Sequence, residues 1–197
     1  METAGYYDSV YYDGSGKSNY VGYTEESSPF ITHADMVETV LRHFGLDGPV
    51  LDAGCAKGYL VRELRRRGIA AYGVDWSTYA VDRAGEDIRG YLCAASVCAL
   101  PFRAGHFALV VSFDLLEHLD VPHARQALAE CARVGARQLH QVNTGRLPEW
   151  RYESDDSHCT RLSVDRWRAM AAELGLAGTV ICEPDGKLPF APAAVAS

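Results

Sequence analysis

Val50-Leu51-Asp52-Ala53-Gly54-Cys55-Ala56-Lys57-Gly58-Tyr59-Leu60 decides the fold of this chain. A short apolar run ends in an acid, glycines follow, and a helical pattern begins at once. That order describes a strand passing through a tight turn into a helix. Backbone N–H groups and the missing side chain of glycine then admit a nucleotide-like ligand.

About twenty residues on, Ala70-Ala71-Tyr72-Gly73-Val74-Asp75 reads as a second strand that also ends in an acid. A carboxylate there can accept both hydroxyl protons of a ribose. The glycine spacing itself is unspecific. In G-x-G-x-x-G the glycines are two and three apart, whereas Gly54 and Gly58 are four apart with Ala56 between them. An NAD-type site is a poor fit.

Working outward, Tyr91–Ala95 is a short third strand, and Phe107–Phe113 is a fourth, almost continuously apolar as a doubly covered parallel strand should be. A helix with Pro122 in its first turn runs to Val134, and Gln138–Asn143 is a fifth strand. Ser163 caps a helix bearing Trp167, Met170, Ala171 and Leu174, with Leu162 and Trp167 as a hydrophobic staple; Thr179–Cys182 is a sixth strand. Upstream, Thr32 and Asp35 form a capping signal for a helix with Met36, Val37, Val40, Leu41 and Phe44 on one face, closed by Gly45. His33, in its first turn, is expected to be exposed. Alternating strands and helices predict a doubly wound α/β fold with a mostly parallel sheet and helices on both faces.

Four segments in order, LDAGCAKGYL (51–60), GVDWS (73–77), ASVCALPF (95–102) and VVSFDLLEHL (110–119), resemble the motifs of class I S-adenosylmethionine-dependent methyltransferases. The resemblance spans roughly residues 48 to 182 and implies a Rossmann-like methyltransferase fold, its last strand missing or reduced because the tail is rich in Pro, Gly and Ala. It implies S-adenosyl-L-methionine as cofactor. Asp75 would accept from the ribose, Gly54 with Cys55, Ala56 and Gly58 would form the loop beside the methionine portion, and Asp52 would orient its ammonium. Trp76, Ser96 and Val97 would flank adenine, and the backbone at Phe113 would approach the methionine end. Ser96 departs from the acid usual at its position, and Ala56 from a common glycine.

The chain divides into a Tyr-rich arm or lid, residues 1–30, and a single methyltransferase domain, 31–197. Tyr11, Tyr20 and Tyr23 of the arm, with Asn143, are candidate substrate contacts, since tyrosine offers a large face with a polar tip. Gly14-Ser15-Gly16-Lys17-Ser18 imitates the end of a phosphate-binding loop, but the pattern requires a glycine where Tyr11 stands. The polar stretch 144–162 is long for a connection and carries Trp150, Tyr152, Asp155, Asp156 and His158. His158 and His118 are the candidate bases, His158 slightly favoured, because a histidine at the ligand edge titrates near neutrality.

Composition narrows the partners. With 197 residues, 48% hydrophobic and 23% charged, the chain suits one soluble domain. A net charge of −7 argues against nucleic acid bound through phosphates. No apolar run is long enough to span a bilayer and the first residues carry no signal-peptide pattern, so a cytoplasmic location is expected. The six cysteines form no C-x-x-C pair and read as buried hydrophobes, with no metal expected. The basic run Arg62–Arg67 reads as a solvated face at a helix end. Sixteen arginines against three lysines suggest a GC-rich bacterial source. The expected activity is methyl transfer to an oxygen or nitrogen of a small molecule. Alternatives are a non-catalytic cofactor-binding partner subunit or, disfavoured by the glycine spacing, an NAD-dependent oxidoreductase.

Overall fold

Strand β1 (Val50–Ala53) is buried at all four positions, as expected where helices cover both faces. It pairs in parallel with β2 (Ala71–Asp75) on one side and β4 (Phe107–Phe113) on the other. β3 (Leu92–Ala94) lies outside β2, while β5 (Gly135–Gln141) and β6 (Thr179–Cys182) continue beyond β4. The six-stranded order is β3-β2-β1-β4-β5-β6. It reverses between β1 and β4, so the connections leave in opposite directions and a crevice opens at the carboxyl ends. β6 pairs directly with β5, and no strand follows it among the described residues.

The computed structural model describes residues 4–14, 22–144, 157–183 and 188. Ser15 to Ser18 of the imitation phosphate loop, Tyr20, the segment with Trp150, Tyr152, Asp155 and Asp156, and nearly all of the tail lie outside those residues.

Two apolar clusters meet β4. Leu109 and Val111 meet α2 (Phe30–Phe44) and α3 (Tyr59–Arg66) on one face. Phe107 and Val110 meet α5 (Val121–Val134) and α6 (Val164–Glu173) on the other, where Trp167 is fully buried. Asp120 and Ser163 cap α5 and α6 through their side chains, and Gly45 ends α2 in the left-handed conformation. A third cluster gathers Tyr11 and Tyr12 of the one-turn helix α1 (Ser9–Tyr12) against Ala56 and against Ala80 of α4 (Thr78–Asp82).

Four expectations are corrected. α2 begins at Phe30, after Pro29, so Thr32 lies inside the helix and does not cap it; burial of Phe30 in the core outweighs the local signal. His33 is therefore buried, its ring stacked on Phe113 at 3.8 Å and 10°. β5 starts at Gly135, directly from α5, earlier than its apolar content suggests. A Cβ at Gly135 would come within 2.5 Å of Val110 Cγ2, so helix and strand meet closely there. The polar residues of β5 are satisfied inside: His140 bonds Ser112 Oγ at 2.7 Å and Gln138 Oε1 at 2.8 Å. Finally, Arg62, Arg66 and Arg67 of the basic run form an ion-pair comb. Arg62 binds Asp87 and Glu25, Arg66 binds Glu25, and Arg67 binds Asp35, Glu38 and Glu63.

Candidate active site

The β1 and β2 tips are tied by one side chain. Asp75 Oδ2 accepts the backbone N–H of Ala56 at 2.8 Å and Oδ1 accepts that of Ser77 at 2.7 Å. The N–H of Trp76 also contributes. Burial pushes the Asp75 carboxyl upward, and these three donors oppose the shift. A carboxylate has about four lone-pair sites, so acceptor capacity remains toward the cleft that Asp75 lines.

The loop around that carboxylate needs an unusual backbone. Gly54 has φ +82, and a Cβ there would lie 3.1 Å from Leu115 Cδ1. Ala56 adopts φ +47 despite its side chain, a conformation held by the bond to Asp75 and by packing against Tyr11 and Tyr12. The N–H groups of Gly54 and Cys55 both point back to Val74 O.

The cleft these tips open into has about 870 Å³ of empty space, the open solvent at its mouth included. Asp75, Trp76, Ser96, Val97 and Phe113 line it, together with Gly54 and Ala56. Beside it, a smaller recess sharing Tyr23, Gly54 and Phe113 reaches Asp52, Cys55 and His33. Asp52 is 4% exposed, and its carboxylate has no hydrogen-bond or ion partner among the described residues. Burial, then the neighbouring Asp75 charge, raises its pKa to about 8.

These features fit the implied cofactor. A buried carboxylate with no cation among the described residues suits an ammonium, a second one with about one acceptor site left suits a ribose hydroxyl, and Trp76, Val97 and Cys98 supply an apolar surface for a base. Gly58 stands apart from both cavities. Its missing Cβ makes room for Ile88 and Leu92, which would sit 2.6 and 2.7 Å from it, so it serves packing of the loop against β3. The Cys55 side chain likewise faces Gly73.

The arm roofs the cleft. Tyr7, Tyr11, Tyr12 and Tyr23 line it, of which Tyr7 and Tyr12 were not singled out from the sequence because a one-turn helix leaves no period to read. The arm is held by Ser77 Oγ donating to Tyr7 O, and by Lys57 Nζ donating to Asp13 Oδ1 at 3.1 Å and Tyr23 O at 3.0 Å. Tyr79 OH also donates to Asp13.

The two candidate bases lie together but differently. His118 lines the cleft and its Nδ1 bonds Ser157 Oγ at 2.8 Å. His158 packs edge-on against the His118 ring, 4.5 Å between centroids, and is not part of the cleft wall. Asn143 is buried beneath, its N–H donating to Glu117 Oε1 at 2.7 Å, and is also absent from the wall. His33 of the smaller recess escaped sequence reading because its burial depends on where α2 starts.

Residues 50–137 match a family model described as a methyltransferase domain. No curated protein sequence matches significantly. Solved structures do. An S-adenosylmethionine-dependent methyltransferase of Clostridium acetobutylicum superposes with a TM-score of 0.53 at 14% identity, over 60% of this chain and 52% of that one. A Methanococcus maripaludis protein assigned as an S-adenosyl-L-methionine-dependent methyltransferase gives 0.59 at 17% identity, over 77% and 81%. Phosphoethanolamine N-methyltransferase 2 of Haemonchus contortus, in complex with S-adenosyl-L-methionine, gives 0.55 at 19%, over 78% and 42%. This chain thus spans about half of the first of these, and at such identities the likeness is one of fold.

Proposed function

We propose that this chain, whose residues 50–137 match a methyltransferase-domain model, is a class I S-adenosylmethionine-dependent methyltransferase that methylates an oxygen or nitrogen of a small molecule. The observation that carries the reading is the pairing of two buried carboxylates at adjacent strand tips. Asp75 faces a cleft with about one acceptor site left, and Asp52 faces a recess without a cationic partner among the described residues. S-adenosyl-L-methionine, when bound, supplies a methyl group already activated by a sulfonium. The protein's task is then alignment, exclusion of water and removal of a proton. Asp75, Gly54 and Asp52 hold; Trp76, Ser96 and Val97 flank. The arm, residues 1–30, acts as a lid, a reading supported by Tyr7, Tyr11, Tyr12 and Tyr23 in the lining of the cleft.

His118 takes the acceptor's proton. It lines the cleft, while His158 supports its ring from behind and Ser157 fixes Nδ1. This reverses the preference drawn from the sequence. A small acceptor is supported by the tyrosines that line the cleft, Tyr7, Tyr11, Tyr12 and Tyr23. The test is isothermal titration with S-adenosylhomocysteine, then methyl transfer to a panel of small acceptors. Binding with turnover is expected, and His118→Gln should lower kcat roughly 10²-fold while His158→Gln has a smaller effect. Absence of binding to the native chain overturns the reading.

A further inference from the structure

Three elements bring side chains into the recess beside the cleft: Asp52 of β1, His33 of α2 and Phe113 of β4 all line it. His33 is buried there and its ring is fixed twice over. It stacks on Phe113 with 3.8 Å between centroids and 10° between planes. It also bonds the side chain of Gln141, which is itself buried at the end of β5.

The bond to Gln141 favours the protonated ring, so the imidazole donates and the amide oxygen accepts. Burial nevertheless depresses the His33 pKa to about 4, and the ring is neutral near pH 7. A neutral imidazole has one N–H and one lone pair. With the N–H committed to Gln141, the lone pair of the second nitrogen is what His33 has left for the recess. Asp52 brings a carboxylate to the same small space. An ammonium carries three N–H donors, and each one left without an acceptor away from water is costly. A carboxylate on one side leaves hydrogens on the other side unmet. A neutral imidazole can meet one of them without adding a charge.

Resting on the methyltransferase reading, we propose that His33 is a cofactor-binding residue whose unprotonated nitrogen, alongside Asp52, accepts a hydrogen of the α-ammonium of S-adenosyl-L-methionine. The test titrates S-adenosylhomocysteine, its deamino analogue and its decarboxy analogue into the full native chain, His33→Phe and His33→Gln. The native chain should favour S-adenosylhomocysteine over the deamino analogue. His33→Phe, which keeps an aromatic ring to stack on Phe113, should cut that preference about tenfold, the weight of one hydrogen bond to a charged group. Its preference over the decarboxy analogue should stay unchanged. His33→Gln, which keeps an acceptor, should retain most of the native preference. A second measurement uses the native chain alone and so does not depend on either variant folding. In nitrogen NMR of the histidine-labelled protein, S-adenosylhomocysteine should shift the unprotonated His33 nitrogen upfield, and the deamino analogue should leave it in place. An unchanged deamino preference in His33→Phe, loss of the decarboxy preference in its place, or an unmoved nitrogen resonance overturns the proposal. Failure of the native chain to take up S-adenosylhomocysteine at all sinks the methyltransferase reading instead, so the two failures are told apart.

Discussion

Asp75 and Ala56, nineteen residues apart, are joined by a 2.8 Å hydrogen bond from the Ala56 N–H to Oδ2. The bond fastens the loop after β1 to the tip of β2. It also holds Ala56 at φ +47, where an alanine costs about 1–2 kcal/mol. The same carboxylate thus shapes the loop and faces the cleft.

Replacing it separates the two roles. Asp75→Asn keeps one acceptor oxygen for the backbone but loses the charge. A hydrogen bond to a charged group contributes about 1.5–3 kcal/mol, so the Kd for S-adenosylhomocysteine should rise roughly 10- to 100-fold. Asp75→Ala should in addition lower the unfolding free energy, since the Ala56, Trp76 and Ser77 N–H groups lose their partner. Calorimetry and urea unfolding of both variants check this.

Asp52 makes stability fall with pH. Its pKa is raised to about 8 in the folded chain against 3.8 ordinarily, so between those values the native state holds a proton that the unfolded state has released. That lowers stability progressively as pH rises toward 8. Below about 6.5, His33 and His140 oppose the trend: burial depresses them to about 4 and 3, so the unfolded chain binds their protons and stability rises with pH. Two histidines outweigh one carboxylate on the acid side, so the expected profile rises from pH 5, peaks near pH 6.5 and declines from there to 8. Asp52→Asn should remove the decline while weakening cofactor binding. Cofactor uptake near pH 7 should release protons, read as a dependence of binding heat on buffer ionisation enthalpy.

Gly58→Ala should destabilise strongly. The new methyl group would require φ +77 and would stand 2.6 Å from Ile88 Cδ1 and 2.7 Å from Leu92 Cδ1. Left-handed strain and overpacking together predict a loss of about 2–4 kcal/mol in urea unfolding. A change below about 0.5 kcal/mol would contradict the packing role.

One of the arm's fastenings, Asp13, is half exposed. Asp13 joins Lys57 of the glycine loop to Tyr79 of α4. Ion pairs of this kind contribute roughly 0.2–1 kcal/mol, so Asp13→Ala should raise the dissociation rate of S-adenosylhomocysteine by up to about fivefold. Native chain in high salt should move the same way. Stopped-flow displacement distinguishes this from a fixed arm, for which neither change alters the rate.

Much of this molecule could be read from the chain alone. The runs at 50–53, 71–75 and 107–113 have few alternatives to parallel strands, because a doubly covered strand must be apolar on both faces. The placement of Asp52 in β1, Gly54 in the turn and Asp75 at the end of β2 was legible because strand-end acids and a tight turn leave local signatures. Other features needed the folded molecule. Whether His33 is exposed depends on where α2 starts, and that is settled by Phe30 entering the core. Whether Gly58 touches ligand or packs depends on Ile88 and Leu92, more than 25 residues away. The order of preference between His118 and His158 depends on which imidazole faces the cleft, a matter of how residues 157–160 dock on the turn after β4. Sequence fixes what is local, namely periodicity, caps and backbone freedom. Burial, and with it the electrostatics of Asp52 and the tyrosine wall, arises only when distant segments exclude water from a shared space.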